Sequence, residues 1–176
     1  MDKKQLRKEI RARVALIPDS EKAVRSMAVC DVLRPRLSAC GARVVALFSP
    51  LHDEPQVWSL VEELSKFILV VLPRVEGDIM KFYPYCNSNL LQGSWGIMEP
   101  QGVEPVAPGE IDVAVVPGVV FTRDGARMGR GRGYYDKYLS QEGFRATKIG
   151  VCYAEQLVDE LVTEPHDVTM DFVVYK

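Results

Sequence analysis

The tightest limit on the fold comes from five short apolar segments rich in valine and isoleucine. They occupy residues 44–48, 67–72, 111–116, 148–153 and 171–175. Continuous apolar runs of this length are typical of strands that are covered on both faces, as in parallel sheets. Between the first two runs, residues 55–66 begin with a proline suited to a first helical turn. Their apolar stripe consists of Val57, Leu60, Val61 and Leu64. The order strand, helix, strand predicts a βαβ unit.

Two further helices are predicted before the first strand. The opening segment carries apolar residues at helical spacing, namely Leu6, Ile10, Val14 and Ile17. The sequence Pro-Asp-Ser at 18–20 ends this helix and offers a cap for the next one. The predicted apolar stripe of the second helix consists of Ala23, Met27, Cys30 and Leu33.

These patterns predict an α/β fold without an internal repeat or a domain boundary. Residues 77–110 are rich in Gly, Pro and Asn, and predict a hairpin at 78–85 followed by a long surface loop. We expect one domain over 1–176, with an open, mostly parallel sheet and helices on both faces, a Rossmann-like three-layer sandwich. Its ligand crevice should lie beyond the carboxyl ends of the strands.

Composition narrows the class of protein. The 176 residues are 47% hydrophobic and 26% charged, which matches a globular domain and excludes collagen-like, coiled-coil and disordered chains. No apolar run approaches the roughly 20 residues that a membrane helix needs, and residues 1–13 lack the apolar core of a signal peptide. The four cysteines fit no metal-ligand spacing, so we expect them to be reduced. We therefore expect a cytoplasmic protein that has no membrane partner.

Basic residues concentrate in two segments that are distant in sequence. Residues 1–43 carry 11 basic and 5 acidic side chains, and residues 123–148 carry 7 and 3. The segments between and after them are acidic. If the two basic segments meet in the fold, they form a positive cleft that concentrates a negatively charged ligand.

The segment 117–139, PGVVFTRDGARMGRGRGYYDKYL, indicates chemistry. It contains glycines at 129, 131 and 133 and three arginines, Arg127, Arg130 and Arg132. The glycines let backbone N–H groups approach a ligand closely, and guanidinium groups suit phosphate oxygens. The spacing fits neither GxxxxGK[ST] nor GxGxxG. It therefore predicts polyphosphate binding in general, with a solvated surface turn and an RNA-binding segment as the alternatives.

The same segment closely resembles the signature of the 5-formyltetrahydrofolate cyclo-ligases, also called methenyltetrahydrofolate synthetases. Other features of that family follow in order along the whole chain. They are Lys3 and Arg7, the acidic pair Asp53 and Glu54, Leu-Pro-Arg at 72–74, Trp-Gly-Ile-x-Glu-Pro at 95–100, and Asp171. The sequence departs from the pattern at Thr122, where the family commonly has Asp, and at Arg132, where it commonly has Lys or Gly.

The resemblance implies an enzyme that uses ATP and Mg²⁺ to convert 5-formyltetrahydrofolate to 5,10-methenyltetrahydrofolate, with release of ADP and phosphate. Phosphorylation of the formyl oxygen would create a leaving group, and the neighbouring amine would then close the ring. Such phosphoryl transfer requires positioning and neutralisation of charge more than covalent help from the protein. The implied partners are small molecules, with no nucleic acid, and we expect a monomer.

The resemblance also implies roles for individual residues. It places catalysis on Arg130, Arg132 and Tyr134. It places ATP binding on Lys3, Lys4, Arg7, Arg127, Met128, Gly129, Arg130, Gly131, Arg132, Gly133, Tyr134 and Tyr135. Folate binding falls on Ser49, Glu54, Trp95, Arg130, Gly131, Arg132, Gly133 and Tyr134. Metal ligation falls on Asp136 and Asp171. From the residues alone, Trp95 and the two tyrosines are equally suited to packing, and the two aspartates to a helix start and a strand edge.

Overall fold

A computed structural model describes residues 2–93 and 96–176. Its helices are α1 (Lys3–Ala15), α2 (Asp19–Ala39), α3 (Trp58–Leu64) and α4 (Tyr134–Leu139). Its strands are β1 (Val44–Ala46), β2 (Leu69–Glu76), β3 (Ile79–Pro84), β4 (Leu90–Gln92), β5 (Met98–Pro100), β6 (Val113–Pro117), β7 (Val120–Phe121), β8 (Arg127–Met128), β9 (Thr147–Cys152) and β10 (Phe172–Tyr175). Trp95 lies outside the described residues.

Six strands form the central sheet in the order β10-β9-β6-β1-β2-β3. All neighbours are parallel except β2 and β3, which form an antiparallel hairpin at one edge. The five predicted apolar runs supply the five parallel strands. The prediction of a mostly parallel α/β sheet is therefore confirmed. The hairpin predicted within residues 78–85 is wrong in its bounds, because residues 79–84 form the single strand β3 and its hairpin partner is β2.

Alternation along β2 shows how the sheet buries both faces. Val70 and Leu72 pack in the cluster that contains Leu33 of α2 and Leu60 of α3. Val71 packs on the other face, in the cluster that contains Tyr138 of α4. Because successive side chains of a strand point to opposite faces, α2 and α3 cover one face while α4 covers the other. The sheet is therefore the middle of three layers, as predicted.

The predicted apolar stripe of α2 is confirmed at Cys30 and Leu33, which pack in the core, but is wrong at Ala23 and Met27. Ala23 is exposed and Met27 is 63% exposed, whereas Ser26, Val29, Leu33 and Leu37 are buried. The buried stripe keeps helical spacing but is rotated toward the side that carries Ser26. Ser26 suits this position because its Oγ accepts a hydrogen bond from Gln56 N, which satisfies a buried polar group.

The helix α1 lies against the carboxyl end of the sheet, which places it at the functional site. Ile10 packs with Val119, Val120 and Met128, and Val14 packs with Tyr153. These contacts confirm the predicted apolar stripe of α1.

Two further features of the fold are the character of its helices and the state of its cysteines. Within residues 2–93 and 96–176, no helix has the length and apolar character needed to cross a membrane. All four cysteines are free thiols.

Candidate active site

A cavity of about 590 Å³ lies beyond the carboxyl ends of the parallel strands. Phe48 and Ser49, which follow β1, and Pro117, at the end of β6, contribute to its lining. From β1 the chain continues to β2 on one side, and β6 lies on the other side. A crevice at such a reversal of strand order is the usual ligand site of an open α/β sheet, so the predicted position of the crevice is observed.

The glycine-rich loop between β8 and α4 forms one wall of the cavity. Gly131 has φ 102° and Gly133 has φ 70°, a backbone region that side chains with a Cβ rarely adopt. Among the described residues, none accepts a hydrogen bond from the backbone N–H of Gly129, Arg130, Gly131 or Gly133. Backbone donors of this kind in a left-handed turn suit an anion.

Thr122 orders the turn that precedes this loop. Its buried hydroxyl accepts a hydrogen bond from Ala126 N at 2.9 Å and donates to Asp124. Thr122 therefore closes the turn with its own side chain at the position where the related sequences commonly have Asp.

The helix α1 forms the opposite wall through residues spaced four apart. Lys3, Arg7 and Arg11 all line the cavity, and Arg7 Nε donates to Gly129 O at 2.8 Å. This contact joins the two basic segments that the charge pattern singled out. Lys4 is exposed and does not contribute to the lining, because it lies about 100° around the helix from Lys3. Arg11 is the third member of the stripe, and sequence reasoning missed it.

Arg127 is buried and bonded within the protein rather than directed outward as a free phosphate ligand. Its Nη1 donates to Pro117 O at 3.2 Å, and its Nη2 donates to Oδ1 of Asp136 at 3.1 Å. The guanidinium also lies 5.5 Å from the ring centre of Tyr135. Arg127 thus fixes Asp136 at the start of α4, where both residues line the cavity.

Arg130 bridges the glycine-rich loop to the loop after β1. Its Nη2 lies 2.5 Å from Asp53 Oδ1 and 2.8 Å from Glu54 Oε1. Burial raises the pKa of the Glu54 carboxyl above its ordinary value, and the charge of Arg130 offsets only part of this effect. Burial also acts to raise the pKa of Asp53, but the hydrogen bonds and charge of Arg130 outweigh it and hold that pKa below its ordinary value. The acidic pair therefore fixes one of the predicted catalytic arginines.

Two tyrosines open α4 and differ in their surroundings. Tyr134 lines the cavity and donates from its hydroxyl to Gly77 O at 3.3 Å, in the turn between β2 and β3. The Tyr135 hydroxyl is buried and has no hydrogen-bond partner among the described residues, and burial raises its pKa far above the ordinary value. Arg132 is exposed and contributes to the lining of the cavity.

The coil before β10 brings a carboxylate that sequence reasoning missed. Asp167 lines the cavity, and its Oδ2 lies 3.0 Å from Lys3 Nζ. The next residue, Val168, donates its N–H to Oδ1 of Asp136 at 3.2 Å. Asp136 and Asp167 therefore both line the cationic part of the cavity, and the backbone of the residue after Asp167 is bonded to Asp136.

Asp171, the other predicted metal ligand, does not line the cavity. It precedes β10, and its Oδ2 accepts a hydrogen bond from Lys148 N at 2.7 Å and lies 3.1 Å from Lys148 Nζ. Lys148 is the second residue of β9, so this contact lies toward the amino end of the parallel strands, away from the cavity. Asp171 thus has the strand-edge position that was the structural alternative for it.

The remaining wall, beside β2 and β3, is largely apolar. It includes Pro73, Val75, Met80 and Ile97. Ser49 also faces this region, where its Oγ donates to Met98 O at 2.5 Å. The acidic side chain on this wall is Glu99, which is only 7% exposed and was not predicted as a site residue.

Residues 1–176 match the 5-formyltetrahydrofolate cyclo-ligase family over the whole chain. The chain belongs to this family. The cyclo-ligase of Mycolicibacterium smegmatis is 32% identical over 185 residues, which cover 98% of this chain and 92% of that protein. The cyclo-ligase of Mycoplasma pneumoniae is 29% identical over 99% of this chain and 98% of that protein.

Solved structures of the same family share the fold. The NMR structure of 5,10-methenyltetrahydrofolate synthetase from Aquifex aeolicus has a TM-score of 0.88 and 32% identity, over 99% of this chain and 90% of that one. The synthetase structure from Mycoplasma pneumoniae has a TM-score of 0.81 and 29% identity, over 98% of each chain. Membership of the cyclo-ligase family makes the chain an enzyme and indicates methenyltetrahydrofolate synthetase activity.

Proposed function

We propose that this cyclo-ligase phosphorylates 5-formyltetrahydrofolate with ATP, in the presence of Mg²⁺, and closes the ring to give 5,10-methenyltetrahydrofolate. The observation that carries the proposal is the contact between Arg7 and Gly129 O, which sets the basic face of α1 against the glycine-rich loop. The two basic segments form opposite walls of one cavity, with backbone donors on one side and cationic side chains on the other.

The cationic part of the cavity fits the triphosphate of ATP. Lys3 and Arg7 face the loop from α1. On the loop, no described residue accepts a hydrogen bond from the backbone N–H groups of Gly129, Arg130 and Gly131. Charge-assisted hydrogen bonds from such groups contribute about 1.5 to 3 kcal/mol each when they are shielded from water. Arg130 would then act on the phosphoryl group that is transferred, since it lies between the loop and the folate side of the cavity.

Asp136 and Asp167 are the residues that would hold Mg²⁺. Oδ1 of Asp136 accepts from Arg127 and Val168, while no described residue donates to its Oδ2. Mg²⁺ is commonly held by one or two carboxylates together with phosphate oxygens and water, and this pair fits that pattern. When bound, the ion would neutralise charge on the phosphates.

The apolar part of the cavity fits the reduced folate. Met80 and Ile97 offer apolar contacts, and Ser49, Glu54 and Tyr134 contribute polar groups to the same cavity. A site of this kind combines an apolar wall with a few polar groups that fix orientation. Its position next to Arg130 would bring the formyl oxygen toward the terminal phosphate.

The chemistry proceeds in two steps, phosphorylation of the formyl oxygen and ring closure. The formyl oxygen bonds to the γ-phosphorus, the bond from that phosphorus to its bridging oxygen breaks, and ADP leaves. The N10 amine then bonds to the formyl carbon, the carbon–oxygen bond breaks, and phosphate departs with the electron pair. The N10 proton is released and the methenyl cation remains. The protein contributes mainly by aligning the reactants and neutralising charge.

The test is the increase in absorbance of the methenyl product with ATP, Mg²⁺ and 5-formyltetrahydrofolate, measured together with phosphate release. We expect Arg130→Ala and Asp136→Asn to abolish both signals while their circular dichroism stays near that of the wild type, since the Asn oxygen still accepts the hydrogen bond from Arg127. Arg123→Ala is the control, because Arg123 is 65% exposed and outside the cavity lining. Saturable ATP binding by the wild type without product would contradict the proposal and indicate a binding protein.

We further propose that the enzyme acts in the cytoplasm as a monomer on small molecules alone. Light scattering of the purified chain tests the oligomeric state. A gel shift with single-stranded nucleic acid at low salt tests the last point, since electrostatic binding is strongest there.

A further inference from the structure

Glu99 is a buried carboxylate in the wall of the cavity that has no cationic partner among the described residues. Its side chain belongs to β5, and the residue is 7% exposed. One oxygen, Oε1, accepts a hydrogen bond from Val75 N at 3.1 Å. A buried carboxylate normally has a cation or several donors, because its desolvation is costly. Glu99 therefore has unused capacity to accept hydrogen bonds from a molecule in the cavity.

Arg74, which contacts the chain that follows Glu99, is bonded to other groups. Arg74 Nη1 donates to the carbonyls of Pro100 and Gly102 at 3.1 and 2.9 Å, and its Nη2 lies 2.6 Å from Glu76. The same guanidinium stacks on Tyr83, 3.6 Å from the ring centre. Arg74 thus anchors the chain that follows Glu99 and forms no ion pair with Glu99 itself.

The backbone around Glu99 is built to hold the side chain in place. Ser49 donates to the carbonyl of Met98, and Gln101 Nε2 donates to the carbonyl of Glu99 itself at 3.1 Å. Gly93 leaves the space that the carboxylate occupies, since a Cβ there would collide with Oε2 of Glu99. In this extended segment Ile97 and Glu99 line the cavity together.

Glu54, the carboxylate that the resemblance assigns to folate, differs in this respect. Its Oε1 accepts from Nε and Nη2 of Arg130 at 3.1 and 2.8 Å, and its Oε2 accepts from Leu51 N at 2.9 Å. Both of its oxygens are engaged within the protein. Glu99 has the larger unfilled capacity of the two acidic groups.

We propose that Glu99 is a specificity-determining residue that binds the N3–H and 2-amino edge of the reduced pterin. That edge presents two parallel N–H donors, as a guanidinium does, and a carboxylate has acceptor sites on both oxygens for such a pair. The apolar surface of Ile97 and Met80 beside it suits the flat ring. The inference rests on the proposed function, because it specifies how the folate substrate is recognised.

The test compares two ligands by calorimetry without ATP, so that it does not depend on turnover. One ligand is 5-formyltetrahydrofolate, and the other is its 2-desamino-2-methyl analogue, which lacks the amino donor. Glu99→Gln keeps the size of the side chain but replaces one acceptor with a donor. We expect it to weaken binding of 5-formyltetrahydrofolate about 10- to 100-fold. The analogue should bind to wild type and variant with affinities that agree within about threefold, because the contact is already missing.

Glu104→Gln is the matched control, since Glu104 is exposed in the coil that follows β5 and lies outside the cavity lining. It should bind both ligands as the wild type does, and ATP should bind equally to all three proteins. An equal loss for both ligands in Glu99→Gln would show a structural role and overturn the inference, as would unchanged binding of 5-formyltetrahydrofolate. Binding that depends on Glu99 without turnover would overturn only the proposed function. Failure of the wild type to bind 5-formyltetrahydrofolate would overturn both.

Discussion

Nη2 of Arg127 lies 3.1 Å from Oδ1 of Asp136, so β8 is tied to the first turn of α4 by a charged hydrogen bond that is almost closed to solvent. The arginine side chain is 2% exposed and the aspartate 15%. A pair in this environment is costly to break from one side, because the remaining charge stays partly desolvated.

We therefore expect Arg127→Met to lower the free energy of unfolding by about 3 to 5 kcal/mol. The reason is that Asp136 and the carbonyl of Pro117 both lose a hydrogen bond from Arg127, and Asp136 also loses its cationic partner. Urea denaturation followed by circular dichroism measures the change. Arg123→Met should cost less than about 1 kcal/mol, since Arg123 is exposed and 3.9 Å from Asp159. Equal costs in the two variants would show that the buried pair has no special role.

The basic face of α1 gives a second prediction. Arg7→Ala should raise the KM for ATP about tenfold or more, through loss of a charge-assisted contact. Lys4→Ala, three positions earlier on the same helix, should leave that KM within about twofold, because Lys4 is exposed and outside the cavity lining. Initial rates at saturating 5-formyltetrahydrofolate measure both values. A comparable rise in the two variants would mean that ATP does not lie along the Lys3, Arg7 and Arg11 face.

This helix shows what the sequence could predict and what it could not. The spacing of four residues from Lys3 to Arg7 continues to Arg11, so helical geometry alone would have placed Arg11 on the same face and Lys4 off it. The face of α2 was harder to predict. Its stripe includes Ser26, a polar residue that is buried because Gln56 supplies a hydrogen bond from a distant part of the chain.

Site residues within one contiguous motif could be predicted from the sequence, whereas those defined by tertiary contacts could not. The loop from Arg127 to Asp136 could be located because its arginines, glycines and helix start are adjacent in sequence. Asp53 could be noted only as part of an acidic pair, and Asp167 carries no local signal. The roles of both depend on contacts with Arg130 and Lys3, which lie 77 and 164 positions away. Asp171 has the stronger local pattern, beside a strand, but that strand starts at the other end of the sheet.

A third prediction separates Asp167 from Asp171. Asp167→Asn should raise the Mg²⁺ concentration for half-maximal activity about tenfold, because one carboxylate near the phosphates is lost. Asp171→Asn should leave that concentration unchanged and affect only stability, through its contact with Lys148. Activity measured across a series of Mg²⁺ concentrations at fixed ATP gives both values. A larger effect in the Asp171 variant would indicate that Asp171, as the resemblance implied, and not Asp167, is the second metal ligand.

A fourth prediction concerns the stability of the protein in acid and the β2–β3 hairpin, which contributes to the apolar wall of the cavity. Glu76, at the end of β2, accepts hydrogen bonds from the Tyr83 hydroxyl and from Arg74, and it pairs with Lys81 at 3.2 Å. These contacts, that of Tyr83 first, lower the pKa of the Glu76 carboxyl from 4.5 to about 2. A carboxyl whose pKa is lower in the folded than in the unfolded chain stabilises the fold above the unfolded value, and this stabilisation is lost as the pH falls through the folded value.

For Glu76 the window therefore runs from pH 4.5 down to about pH 2. Glu76→Gln should lower the melting temperature at pH 7 by about 2 to 4 °C, which corresponds to roughly 1 kcal/mol for a chain of this size. The difference from the wild type should narrow steadily below pH 4.5, because the unfolded chain binds a proton at this carboxyl there while the folded chain does not until about pH 2. Melting curves at pH 7, 5, 4 and 3 follow this change, with Glu104→Gln as the exposed control. A difference that stays constant over the whole range would show that the charge of Glu76 does not stabilise the hairpin, and that the Gln side chain disturbs packing instead.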